Sequence, residues 1–235
     1  RKVIDKNLNV GRQIYNACLG QLQKRLRRVQ ADKQYRFLLK QPKSKQRTNN
    51  LRQIEKSYAY TVNDIEKWVI SVRKHFGKVI GSTLAQVLAE RAWSTIEKLH
   101  YHQAKKIKFI PAWDTISIEN KSNKTGLRHK NGFIIWNDLK LKFKQPRTTK
   151  RNHYIQDALK SEIKFVRIYV KTIRGKKRYF VQLIMLGYPP RKQRQISDDE
   201  QRVGLDIGVS TIAVVSKDSV KLHELAPNTE INQKE

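Results

Sequence analysis

Cysteine is nearly absent, with Cys18 the only one in the chain. A lone thiol excludes an intrachain disulfide and any zinc site built from cysteines. Cys18 falls among apolar residues at helical spacing and reads as an inert packed thiol. Acids are scarce as well: 20 Asp+Glu face 50 Lys+Arg, a formal charge of +30. That density of like charge opposes compaction and calls for a polyanionic partner. Long apolar runs are missing too. None reaches the ~20 residues of a membrane span, and the longest candidate, Tyr179 to Tyr188, is strand-length and contains Gln182. No secretory signal is visible, so no membrane partner is expected. The six histidines form no metal-ligand spacing. His100 and His102 flank Tyr101 and read as lining a basic surface or sitting in solvent, and His129 lies in a basic loop, Arg128-His129-Lys130.

What is present suffices for two or three small domains in 235 residues. Val10, Ile14, Tyr15, Cys18, Leu19, Leu22, Leu26 and Val29 fall on one face of a helix from Asn9 to about Ala31, with Arg and Lys opposite. The polar stretch Gln41 to Thr48 breaks the pattern. A second helix runs from Thr61 to Phe76, with Thr61 and Asp64 placed to cap it and Gly77 to end it. Ser82 opens a third, with Leu84, Val87, Leu88, Ala92, Ile96 and Leu99 aligned. Residues 1–106 therefore read as a basic helical domain.

From Ile107 the period changes to that of strands. Thr115–Glu119 and Leu139–Lys144 alternate, Gly132–Trp136 is short and apolar, and Lys164–Val170 and Arg178–Leu186 flank a turn at Ile173–Lys177. Inward apolar and outward basic residues suggest a small antiparallel, OB-like β-barrel over residues 107–190. Between Leu139 and Arg178, fourteen Lys/Arg face two acids, Asp157 and Glu162. Lys140, Lys142 and Lys144 share one face of one strand, spaced to follow a phosphate backbone. Arg147, Lys150 and Arg151 add to them, and Arg174, Lys176, Lys177 and Arg178 form a basic hairpin tip. With Arg128, His129 and Lys130, these are the candidate nucleic-acid contacts, and contacts to phosphate position a ligand without reading its sequence.

Residues 191–201 read as a linker after Gly187-Tyr188-Pro189-Pro190, and a third domain opens over 202–235. Its first strand, Val203 to Ile207, carries one acid, Asp206, before a Gly208-Val209-Ser210 turn and a second apolar run, Thr211–Val215. This reads as a hairpin, with Gly208 supplying backbone freedom. An acid in an apolar strand is costly to bury unless it is paired or holds a metal. Asp206 is either bonded to the turn amides or a Mg²⁺ ligand at the end of a nuclease strand.

Four segments carry a resemblance: Val10 to Ala17, Thr125 to Phe133, Arg178 to Leu183, and above all Val203 to Ser216. In this order, behind basic helices, a basic barrel and a Pro-Pro linker, they resemble the front half of TnpB-type proteins. These are transposon-encoded RNA-guided nucleases related to type V CRISPR effectors. The resemblance implies an RNA-guided DNA endonuclease of prokaryotic cytoplasm, a hydrolase binding guide RNA and target double-stranded DNA. The helices would be a recognition lobe, the barrel a wedge domain, and the third part the start of a RuvC-type, RNase H-like nuclease domain. In that domain three acids bind two metal ions, and Asp206 matches the first, as catalytic residue and Mg²⁺ ligand. Glu224 and Glu230 come too early to be the second. The family's zinc ribbon has no counterpart here, nor does the barrel strand that precedes its first helix. The chain starts without Met and ends on a polar stretch, so it reads as a piece of a longer protein. Mg²⁺ pairs need several oxygens around ions ~4 Å apart, so this chain alone is expected to bind nucleic acid and not to cut it.

Three rivals remain open. Asp-Ile-Gly-Val-Ser-Thr also resembles the first phosphate loop of actin-like and sugar-kinase folds, although that loop sits near their N-terminus. A catalytically inactive RNA-guided DNA-binding protein would share the architecture. A plain RNA-binding structural protein would leave Asp206 unexplained.

Overall fold

The computed structural model describes residues 1–144, 153–188, 203–216 and 218–225. The chain is an α+β protein, with helices first and small antiparallel sheets after them. It divides into two compact units, Arg1–Tyr188 and Pro189–Glu235. The linker expected at residues 191–201 lies outside the described residues.

The first unit starts with α1 (Lys2–Ala31), which begins earlier than its apolar spacing predicts. All eight aligned residues, Val10 to Val29, are buried, and burial pushes the Cys18 thiol up to about 12, against the small opposing pull of Arg25. Next come α2 (Lys33–Lys40) and α3 (Lys45–Ser57). The sequence reading of a break from Gln41 to Thr48 is corrected here. The break is confined to Gln41–Ser44, and Ser44 Oγ accepts the Arg47 amide at 3.0 Å to start α3. This helix hides in the sequence because none of its residues is buried, Leu51 and Ile54 only leaning on the core. In α4 (Val62–His75), Thr61 caps as expected, accepting the Asp64 amide at 3.2 Å. Gly77 follows in the left-handed region at φ 65°, a conformation that favours glycine. The last long helix, α5 (Ser82–His100), packs along α1 and α4.

Two three-stranded antiparallel sheets follow, and among the described residues they are not hydrogen-bonded into one closed barrel. The first has the order β1-β5-β6, from β1 (Ile118–Glu119), β5 (Ile163–Ile173) and β6 (Lys176–Met185). The second is a meander of β2 (Arg128–Lys130), β3 (Phe133–Trp136) and β4 (Leu139–Lys142). Asn131 and Gly132, at φ 50° and 75°, make the two-residue turn of β2–β3, and Arg174-Gly175, at 51° and 72°, make that of β5–β6. A short helix, α6 (His153–Leu159), precedes β5.

Helices and sheets share one core. Leu8, Ile14, Leu88 and Ile96 belong to the same buried cluster as Ile118, Ile134, Trp136, Val166 and Ile168. Polar ties reinforce it: Arg91 donates to Ser117 O at 2.6 Å, Asn137 to Val79 O at 2.9 Å, and Tyr179 Oη to Asp5 at 2.8 Å. Lys121 bridges Glu66 at 3.0 Å and Glu90 at 2.8 Å, joining the loop before β2 to α4 and α5.

The second unit is an antiparallel meander of β7 (Gly204–Ile207), β8 (Thr211–Val215) and β9 (Val220–Glu224). The hairpin expected around Gly208 is present, and Gly208 N donates to Thr211 O at 2.9 Å. The role of Gly208 is corrected, since its φ is not in the left-handed region. Space is what it supplies: a Cβ there would stand 3.0 Å from Thr211 O.

Candidate nucleic-acid interface and the Asp206 strand

Register decides which basic residues meet on the β2-β3-β4 sheet. Residues paired directly across an antiparallel ladder point to the same face. Arg128 pairs with Ile135 and Ile135 with Lys140; Lys130 pairs with Phe133 and Phe133 with Lys142. One face thus carries two rows, each a cation, an apolar residue and a cation. At normal strand spacing the four charges stand roughly 10 Å apart across β3 and roughly 7 Å apart along the strands. Lys140 Nζ lies 4.3 Å from the centre of the Phe133 ring, a cation–π contact that steadies this face. The other face carries Ile134 and Trp136, both fully buried, with Leu139 and Leu141 packed beside them.

The remaining candidates divide. Arg128, His129 and Lys130 form a strand, not the loop read from sequence, because the Asn131-Gly132 turn pairs them with β3. His129 alternates onto the core-side face, its ring edge-on to Phe143 at 5.9 Å, and its backbone is held by the Asn123 side chain at 2.6 and 3.2 Å. Lys144 is exposed but lies past the end of β4, so the ladder aligns only Lys140 and Lys142. Arg147, Lys150 and Arg151 lie outside the described residues.

At the β5–β6 tip, Arg174, Lys176, Lys177 and Arg178 are all exposed. Lys176 and Arg178 share a face with Lys171, which pairs directly with Arg178, while Lys177 points to the other face. Like charges directly opposite each other are unfavourable unless an anion lies between or near them. Sequence reasoning missed Lys171, whose place follows only from the two-residue turn. Behind this pair, Tyr169 and Phe180 stack at 5.3 Å and 16°, followed by Arg167, which is ion-paired to Glu119.

His100 is not on a phosphate-facing surface, contrary to the sequence expectation. Its imidazole is half-buried between tyrosines, with Nε2 2.9 Å from Tyr35 Oη and Nδ1 3.4 Å from Tyr60 Oη. Tyr35 Oη also donates to Glu55 at 3.3 Å. Burial holds His100 below its ordinary value, His102 adds to this and Glu97 opposes it. His102 remains exposed, in the left-handed region at φ 57°.

In the second unit Asp206 pairs with Ala213, and Ala213 with Leu222. Asp206 is exposed and makes no hydrogen bond or ion pair among the described residues, so the turn amides do not hold it. Its face of the sheet also carries Val215, Val220 and Leu222, while Leu205, Ile207, Ile212 and Val214 line the opposite face together with Lys221 and His223 of β9. Glu224 shares the Asp206 face but sits two strands away, about 10 Å sideways. Among the described residues no three His, Cys, Asp or Glu side chains gather as a metal site. One carboxylate does not supply the oxygens of a Mg²⁺ pair, so the residues present do not by themselves fit that centre. No helix among the described residues is long and apolar enough to cross a membrane.

Comparison with protein-family models, with curated proteins and with solved structures returns no match.

Proposed function

We propose that the chain is the nucleic-acid-binding front part of an RNA-guided DNA endonuclease, with Asp206 as the first acid of its nuclease domain. The observation that carries this reading is the setting of Asp206. A carboxylate with no partner among the described residues projects from β7, which with β8 is apolar on both faces apart from Asp206 and Thr211, the charged residues of the sheet otherwise falling on β9. Strands apolar on both faces are suited to the middle of a layered domain, covered on each side. An acid there has no structural duty as a turn lock and is free for chemistry. The cation rows of the β2-β3-β4 sheet and the β5–β6 tip supply the polyanion contacts, for guide RNA and target DNA alike.

In the longer protein that this reading implies, Asp206→Ala should abolish metal-dependent DNA cleavage, by at least ~100-fold, and leave guide and target binding near wild type. Asp206→Asn should behave the same way, because an amide keeps the shape without the charge. Cleavage by Asp206→Ala at the wild-type rate would sink the nuclease assignment. The alternative is a catalytically inactive RNA-guided DNA-binding protein of the same architecture, against which the retained Asp206 argues. Cleavage by the wild-type protein decides between the two.

A further inference from the structure

Burial divides the four tryptophans sharply. Trp136 is wholly enclosed, and Trp68 and Trp93 pack against the core, whereas Trp113 is 84 % exposed. A large ring left in water forfeits its burial, so one that is also held in place points to a partner. The backbone that carries Trp113 is held in place. Three residues before it, Ile110 is gripped from α1: Asn16 Nδ2 donates to Ile110 O at 2.8 Å, and Ile110 N donates to Asn16 Oδ1 at 3.0 Å. Arg12 donates to the same carbonyl at 3.2 Å. The Phe109 ring lies over Gly20, where a Cβ would stand 3.8 Å from it. The chain then turns through Pro111–Asp114, closed by Asp114 N donating to Pro111 O at 3.1 Å, and Asp114 Oδ1 accepts the Thr115 amide at 2.7 Å. Trp113 occupies the third position of this fastened turn.

The chemistry before it has one character. Lys105, Lys106 and Lys108 are exposed, Phe109 is half-exposed, and Asp114 is the only acid from Tyr101 to Ser117. Tyr101, 63 % exposed, stacks on the His100 ring at 5.0 Å and 10°. Cations interleaved with exposed rings suit a single nucleic-acid strand, whose phosphates meet the charges and whose bases stack on the rings.

We propose that Trp113 stacks an unpaired base of RNA, with Lys105, Lys106 and Lys108 holding the phosphates beside it. Duplex DNA keeps its bases stacked inside, whereas RNA presents loops and bulges with bases splayed out for aromatic side chains. A ring carried on an already fastened turn costs little backbone freedom on binding. The inference rests on the nucleic-acid part of the proposed function and is independent of Asp206.

The test titrates the whole chain with an unstructured RNA of about ten nucleotides, following tryptophan fluorescence and affinity, with a DNA duplex as the second ligand. RNA should quench the wild-type signal, and Trp113→Phe should lose most of that quenching while keeping most of the affinity. Trp113→Ala should bind the RNA about tenfold more weakly or worse, with an unchanged salt slope and unchanged duplex affinity, because no charge is removed. Wild-type RNA affinity in Trp113→Ala, or an equal loss on duplex, would overturn the proposal and leave the nucleic-acid reading standing. Tighter wild-type binding to single-stranded DNA of the same sequence, with the same dependence on Trp113, would assign the surface to DNA and overturn it as well. Failure of the wild type to bind any nucleic acid would overturn both readings.

Discussion

Gly11 lies where α1 passes close to β1. A Cβ there would stand 2.7 Å from Ile118 Cδ1 and 3.5 Å from Ile116 Cγ2, and both isoleucines are buried. In an open helix, replacing glycine by alanine gains about 1 kcal/mol. Here the added methyl overpacks a closed contact, which costs about 1–3 kcal/mol. Gly11→Ala is therefore expected to lower stability by about 1 kcal/mol net, read as a lower denaturant midpoint at unchanged slope, and Gly11→Val by more. A Gly11→Ala variant more stable than wild type would show that Ile118 swings aside. The same residue shows how sequence and structure divide the work. Its neighbours Val10 and Ile14 announce a buried helix face by their spacing, but nothing in that spacing tells that residue 11 must be small. The reason stands more than a hundred residues away. Gly208 is the parallel case: its turn is legible, and its crowding against Thr211 is visible only once the strands are paired.

Among the elements, those with one strongly apolar face were legible. Such a face fixes the period of α1, α4 and α5, and the alternation of β5. Helix α3 was not legible, because only Leu51 and Ile54 touch the core and its start depends on the Ser44 cap. The β2 strand reads as a loop by its basic composition, and only the Asn131-Gly132 hairpin signal places Arg128 and Lys130 beside Lys140 and Lys142. The histidine at the end of α5 departs from its sequence expectation for a different reason. His100 is polar at the sequence level, yet Tyr35 from α2 and Tyr60 after α3 close over it. That closure has a consequence for stability against pH. Burial depresses the folded-state value of His100 below 6.5, so the unfolded chain takes up this proton first. The His100 contribution is complete above pH ~6.5 and is lost as pH falls below it. Glu55 acts with the opposite sign, since burial raises its carboxyl above 4.5 and its penalty is relieved on acidification. The difference between wild type and His100→Gln isolates the imidazole. On going from pH 7.5 to 5.5, the wild type should lose more melting temperature than the variant, and parallel curves would show that His100 is not closed off in solution.

At the scale of the whole molecule, charge outweighs every single contact. With +30 on 235 residues, the folded chain repels itself, and only a polyanion relieves that repulsion over the whole surface. Each phosphate neutralised releases condensed counterions, so the logarithm of affinity falls with the logarithm of salt at about 0.9 per contact on duplex DNA. The chain's binding to duplex DNA should therefore weaken by orders of magnitude between ~50 and ~200 mM salt. The β2-β3-β4 sheet makes this prediction local. Arg128, Lys130, Lys140 and Lys142 share a face turned away from Ile134 and Trp136, so replacing all four by Gln leaves the core intact. The fourfold variant should keep its melting temperature, bind all duplex sequences more weakly by similar factors, and show a salt slope shallower by about three to four. A loss confined to one sequence would mean that this face reads bases. An unchanged slope with unchanged affinity would move the polyanion contacts elsewhere, first to Lys171, Lys176 and Arg178 at the β5–β6 tip, where the opposed cations have no ion pair among the described residues. A wild-type affinity insensitive to salt would remove the electrostatic basis of nucleic-acid binding altogether.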